Sequence, residues 1–142
     1  MEPTAPPVPL SQRTLTILLI EDSDTVRRYL YHTLKSAIPN AILVEAVEGR
    51  AALRELTRCR ADLIITDLQM PGMDGRAFLA TLRQNPVLRS KRVLVLSSDN
   101  SQDLLERYAS DPHLAILPKP STGAEILRVA QDLLADLPAG VA

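Results

Sequence analysis

Four places along the chain set a reactive or polar side chain at the end of an apolar run: Glu21 and Asp22 follow TLTILLI, Asp67 closes ADLIITD, Ser97 follows RVLVL, and Lys119 follows LAILP. Three carboxylates directed into one cleft repel one another, and such a set is sustainable only where a cation joins them or protons neutralise them. Oxygen-only ligands suit a hard ion, and few protein ligands with room for water and phosphate oxygens favour Mg2+; the lack of clustered Cys or His disfavours soft metals. With its charge offset by such an ion, Asp67 can act as a nucleophile toward a phosphoryl group and form an aspartyl phosphate. Lys119 can then offset charge on one phosphoryl oxygen, and the Ser97 hydroxyl can donate to another. Both contacts exist only when the phosphoryl group is present, which gives a physical route from modification to an altered surface. Taken singly, an Asp ahead of Pro71-Gly72 is an ordinary turn residue, a Ser after a strand an ordinary cap, and Lys119-Pro120 an ordinary loop. Four strand ends that all carry suitable groups are not explained by turn chemistry.

The elements that must position these groups follow from periodicity. Thr14 to Ile20 is β-branched and leucine-rich and stops in acid, as a buried strand does. Val26, Leu30, Leu34 and Ala37-Ile38 recur at helical spacing, with Ser23 or Asp24 as cap and Pro39-Asn40 as terminator. The alternation continues with a strand over Ile42 to Ala46 and a helix over Gly49 to Cys59, whose inner side carries Ala52, Leu53, Leu56 and Cys59. A third strand covers Ala61 to Asp67; the turn Met70-Pro-Gly-Met-Asp-Gly75 follows, with Asp74 capping a helix to about Arg83. Strands over Arg92 to Leu96 and Leu114 to Leu117 flank a short helix over Ser101 to Ala109. Thr122 and Glu125 have capping-box spacing ahead of a last helix reaching Leu137. Strands apolar on both faces and separated by amphipathic helices predict a parallel sheet covered on both sides, a doubly wound α/β domain. Ligands of such sheets sit at the carboxyl ends of the strands, where these groups lie.

Composition bounds the rest. A chain of 142 residues is expected to fold as one domain over 14–137, after a Pro-rich disordered leader over 1–13 and before a short tail over 138–142. A formal net charge of -1 gives no bulk reason to expect nucleic acid or an anionic membrane as partner. Arg50, Arg54 and Arg58 at helical spacing, with Arg60 beyond, are the best case for nucleic acid, but a solvated face is the commoner role of such a stripe. The one cysteine, Cys59, cannot close an internal disulfide and is read as a small core residue, with His32 and His113 as surface or packing residues. No signal segment is read, so a cytoplasmic location is expected, and no apolar stretch approaches the ~18 residues of a spanning helix.

The segments ILLIEDS, DLIITDLQMPGMDG, VLVLSSD and ILPKP resemble the signatures of receiver domains of bacterial two-component response regulators. Their order and separations also match: Asp22 to Asp67 is 45 residues, Asp67 to Ser97 is 30, and Ser97 to Lys119 is 22. The resemblance, covering about Thr14 to Leu137, implies a flavodoxin-like fold with strand order 2-1-3-4-5. It further implies that Asp67 is the phosphoacceptor, Asp22 a direct Mg2+ ligand, Glu21 an acid acting through water, and Gln69 a ligand through its backbone carbonyl. Ser97 matches the switch hydroxyl and Lys119 the phosphate-contacting lysine, with the Lys119-Pro120 bond usually cis in the family. The implied partners are a sensor histidine kinase or phosphotransfer protein and a downstream protein target; homodimerisation stays open. Such a module is not an enzyme beyond weak self-phosphorylation and self-dephosphorylation. It acts either as a single-domain regulator or as part of a larger one. Two features depart from the family. Ile116 stands at a fifth-strand position that is often aromatic, and residues 108–113 lack the usual Gly-Ala pair, with Pro112 expected to shorten the fourth helix.

Two rival readings differ in class. Asp22-Ser-Asp24-Thr-Val26 fits the DxDx[TV] pattern of haloacid-dehalogenase-like phosphatases, but no acidic metal motif follows the lysine and Asp67 with its turn is left unused. A receiver fold acting as a phosphate-independent interaction module is the other, kept open by Ile116.

Overall fold

The computed structural model describes residues 9, 12–68, 75–97, 102–119 and 121–135. They form five strand-helix units in strict alternation: β1 (Thr16–Ile20), α1 (Asp24–Ala37), β2 (Ile42–Ala46), α2 (Gly49–Leu56), β3 (Leu63–Asp67), α3 (Gly75–Gln84), β4 (Val93–Ser97), α4 (Gln102–Tyr108), β5 (Leu114–Pro118) and α5 (Gly123–Leu133). The strands make one parallel sheet in the order β2-β1-β3-β4-β5, the doubly wound flavodoxin-like arrangement.

Successive strand residues point to opposite faces, and each face has its own core. On one side Ile17, Leu19, Leu63, Ile65, Leu94 and Leu96 pack with Leu30 and Leu34 of α1 and Ile126 and Ala130 of α5. On the other Leu18, Ile20, Ile64, Val93 and Val95 pack with Ala52 of α2 and Phe78, Leu79 and Leu82 of α3. Every residue of β3 and β4 is buried, which accounts for their unbroken apolar runs, whereas the edge strand β2 exposes Ile42 and Glu45.

Helix starts follow their caps. The Ser23 hydroxyl accepts from Val26 N, the Glu48 carboxylate from Ala51 N, and Thr122 and Glu125 form a reciprocal capping box at α5. Boundaries shift where local bonds compete. Helix α2 stops at Leu56, short of the expected Cys59, because Thr57 N and Arg58 N turn to carbonyls three residues back and the Thr57 hydroxyl takes Arg54 O. Cys59 is consequently half-buried, not a core residue. Strand β4 runs one residue further than expected, so Ser97 is itself a strand residue. Arg13, at the end of the expected leader, is buried and its guanidinium donates to Leu134 O at 3.3 Å. The expected cap at Asp74, the start at Ser101 and the C-terminal limit at Leu137 lie outside the described residues. Among those residues no helix is long and apolar enough to cross a membrane.

Candidate functional site

Parallel register sets the carboxyl ends of the strands at one level. Ile20 lies opposite Ala46 and Thr66, Asp67 opposite Leu96, and Ser97 opposite Pro118. The next residues on each strand therefore project from the same edge. Glu21 N donates to Ala46 O at 3.0 Å and Lys119 N to Ser97 O at 2.8 Å, so both side chains are held by backbone bonds continuous with the sheet. At the end of β3 the Thr66 hydroxyl donates to Asp67 O, and Gly75 N donates to Leu68 O at 2.8 Å. A side chain on Gly75 would have no room: a Cβ there would lie 2.6 Å from Leu68 Cα and 2.7 Å from Asp67 O. Gly75, the last residue of the MPGMDG segment, is what lets α3 start against the strand that carries Asp67.

Glu21, Asp22 and Asp67 converge, each offering a carboxylate oxygen within 4.8 Å of the others. Asp67 and Glu21 are buried, while Asp22 is exposed. Lys119 Nζ lies 3.0 Å from Asp67 Oδ2. Ser97, 1% exposed, ends the neighbouring strand. Burial first, then the Asp67 charge, a side-chain hydrogen bond with Asp67 and the Asp22 charge push the Glu21 carboxyl up to about 7, with Lys119 opposing. That shift is the cost of crowding acids in a cleft with little water, and a divalent cation relieves it. The donor set is oxygen only, as hard cations prefer, so the cluster can hold such an ion. Gln69 lies outside the described residues, as does Pro120.

Asp24, the second acid of the DxDx[TV] pattern, lies outside this cluster: its carboxylate is 83% exposed and pairs with Arg27 at 2.5 Å. The phosphatase reading therefore lacks its second acid. Arg27 is the residue that the sequence reading missed. Its Nη1 donates to Glu21 O at 2.8 Å and its Nε lies 3.3 Å from Glu45 Oε1, which ties the β1-α1 turn to the edge strand. The visible signal is only the Asp24 to Arg27 spacing of one helical turn. On the far side of the sheet, Ile116 is half-buried against the core formed with α2 and α3. Tyr108 at the end of α4 packs on the same core, with Arg107 5.9 Å above its ring.

Comparison with known proteins agrees with this geometry. The family model described as the response regulator receiver domain matches residues 17–131. Among curated relatives, a protein-glutamate methylesterase/protein-glutamine glutaminase of Nocardioides is 34% identical over 119 residues, 80% of this chain and 31% of the relative. Response regulator Rcp1 of Synechocystis is 36% identical over 100 residues, 65% of this chain and 68% of the relative. The chain thus spans about a third of the methylesterase relatives, 31% and 35% of two of them. Chemotaxis protein CheY4 of Vibrio cholerae superposes with a TM-score of 0.75 at 26% identity, covering 85% of this chain and 99% of that one. A Mn2+-bound form of Rcp1 does so with a TM-score of 0.70 at 28% identity, covering 90% and 97%. With the strand order, the acid-bearing strand ends and the family match in agreement, this chain belongs to the response regulator receiver domain family, a signalling module of two-component systems.

Proposed function

We propose that this receiver takes a phosphoryl group on Asp67 from a sensor histidine kinase or phosphotransfer protein in the cytoplasm, and that the modification switches a surface read by a downstream protein. The observation that carries the reading is the 3.0 Å contact of Lys119 Nζ with Asp67 Oδ2 in a cleft where Glu21 and Asp22 bring further carboxylate oxygens within 4.8 Å. By resemblance, Asp22 and Asp67 would hold Mg2+ directly, Glu21 would act through water, and the Gln69 backbone carbonyl would complete the set. When bound, Mg2+ supplies positive charge against the phosphoryl oxygens.

The chain's own residues do the rest. Asp67, fixed at the end of a fully buried strand, presents a carboxylate oxygen to the phosphorus; a bond from that oxygen forms as the bond to the donor nitrogen or oxygen breaks, and the leaving group departs on the opposite side. Lys119 moves from Asp67 to a phosphoryl oxygen, a shift its partly exposed side chain allows. The Ser97 hydroxyl donates to a second oxygen. Because Lys119 N is bonded to Ser97 O, the two contacts act on one pair of strand ends, β4 and β5. The half-buried Ile116 of β5 and Tyr108 at the end of α4, both packed against the core formed with α2 and α3, transmit the change.

Incubation with acetyl phosphate followed by intact-protein mass tests the reading. Mg2+-dependent gain of one phosphoryl group, lost in Asp67→Asn, is the expected result. A folded wild-type protein that gains no phosphoryl group from acetyl phosphate or from a phosphorylated kinase counts for the phosphate-independent interaction module instead.

A further inference from the structure

Half of the chain's sixteen Lys and Arg residues fall within residues 50–60 and 83–92, which together contain one acid, Glu55. The fold brings the ends of these segments together at the amino ends of β3 and β4, at the opposite end of the sheet from Asp67. Between them lies a cavity of about 560 Å³ whose lining includes Arg58, Arg60, Lys91 and Arg92. That volume falls within the few hundred to about 1,000 Å³ of small-molecule sites.

Four basic residues line the cavity against one acid, Asp62, whose charge favours the Lys91 ammonium. Arg58 is 71% exposed and its carboxylate neighbour, Glu55, is 3.6 Å away. Among the described residues no carboxylate lies within ion-pair distance of Arg60 or Lys91. Asp62, the acid in the lining, is occupied on Oδ2 by Thr16 N at 2.9 Å. Arg92 Nε is turned to Leu133 O, but Lys91 Nζ spends one of its three donors on Ala61 O at 3.0 Å and keeps the others for the cavity. Burial and the neighbouring Arg60 hold the Lys91 ammonium below its ordinary value, a penalty that an anion would remove. Leu56, Leu88 and the 80% exposed Val87 add apolar surface to the lining, beside the polar Thr57 and Ser90.

We propose that this cavity is a second ligand site, for a nucleotide whose phosphates lie between Arg58, Arg60 and Lys91 and whose base lies on Leu56, Val87 and Leu88. Guanidinium forks match phosphate oxygens in pairs, and apolar surface beside them suits a flat base. A concave site of this size favours a small ligand over a duplex or an extended acidic peptide, either of which would use the exposed stripe of Arg50 and Arg54.

Cys59 is the chain's one cysteine and lines the cavity, so its alkylation reports occupancy. The rate of N-ethylmaleimide labelling is read by intact mass at matched ionic strength without divalent metal, with ATP, inorganic triphosphate or adenosine as probes. ATP is expected to slow labelling by 1 + [ATP]/Kd, about tenfold when ATP is about ten times Kd. Triphosphate should protect less and adenosine least. The double variant Arg58→Gln, Arg60→Gln, both at exposed positions, should lose the protection, and Asp67→Asn should keep it. Slowing below about twofold at ~10 mM ATP, or protection that survives in the double variant, overturns the proposal. Equal protection by triphosphate and ATP overturns its nucleotide part.

Discussion

Raising the pH of the metal-free protein should destabilise it. Glu21 titrates near 4.5 in an unfolded chain but is pushed up to about 7 in the fold, chiefly by burial and by the Asp67 charge. The folded state therefore holds a proton between those values that the unfolded chain has released, so the native state binds more protons and stability falls as pH rises. The contribution is intact near pH 4.5 and gone once pH exceeds about 7. A shift of this size, at about 1.4 kcal/mol per pH unit, corresponds to roughly 3 kcal/mol, undiscounted because Glu21 is 3% exposed. A bound divalent cation replaces that proton, so Mg2+ should restore the loss at pH 8 and bind progressively less well below pH 7. Urea unfolding followed by circular dichroism, in chelator and in Mg2+ at pH 5 to 8, measures both effects, and Glu21→Gln isolates the group. A metal-free stability that is flat or rising over this range, or a pH slope unchanged in Glu21→Gln, refutes the reasoning.

Lys119→Ala removes the cation beside Asp67; phosphoryl incorporation from acetyl phosphate should slow roughly 10²-fold while calorimetry shows tighter Mg2+ binding, because a competing positive charge is gone. Gly75→Ala forces a Cβ onto Leu68 and Asp67 backbone atoms and should cost about 1–3 kcal/mol in urea unfolding, with slower phosphorylation because β3 shifts. Thr122→Ala breaks the capping box of α5 and should cost about 1 kcal/mol by thermal unfolding while leaving the phosphorylation rate unchanged.

The fold was legible because its signals are local and repeated. Buried central strands read as apolar runs, and Ser23 and Thr122 mark helix starts by their own side-chain bonds. The acids and Lys119 were legible because parallel register sends all strand ends to one edge, so sequence position after an apolar run is spatial position. Helix α2 ended three residues early because the Thr57 hydroxyl and tightened turn bonds compete with helix continuation, which periodicity does not report. Arg27 escaped notice because its partners, the Glu21 carbonyl and Glu45, come from two other segments. Likewise, the arginine stripe of α2 gave no hint that Lys91 would join Arg58 and Arg60 in lining one cavity.

The most direct test of the central claim locates the phosphoryl group chemically. Protein treated with acetyl phosphate and Mg2+ is reduced with borohydride, which converts an aspartyl phosphate to homoserine, and is then sequenced by mass spectrometry. Homoserine at position 67, absent without Mg2+ or without phosphoryl donor, is the predicted result. Homoserine at position 22, or phosphate retained on a hydroxyl or imidazole with position 67 unchanged, would contradict the account.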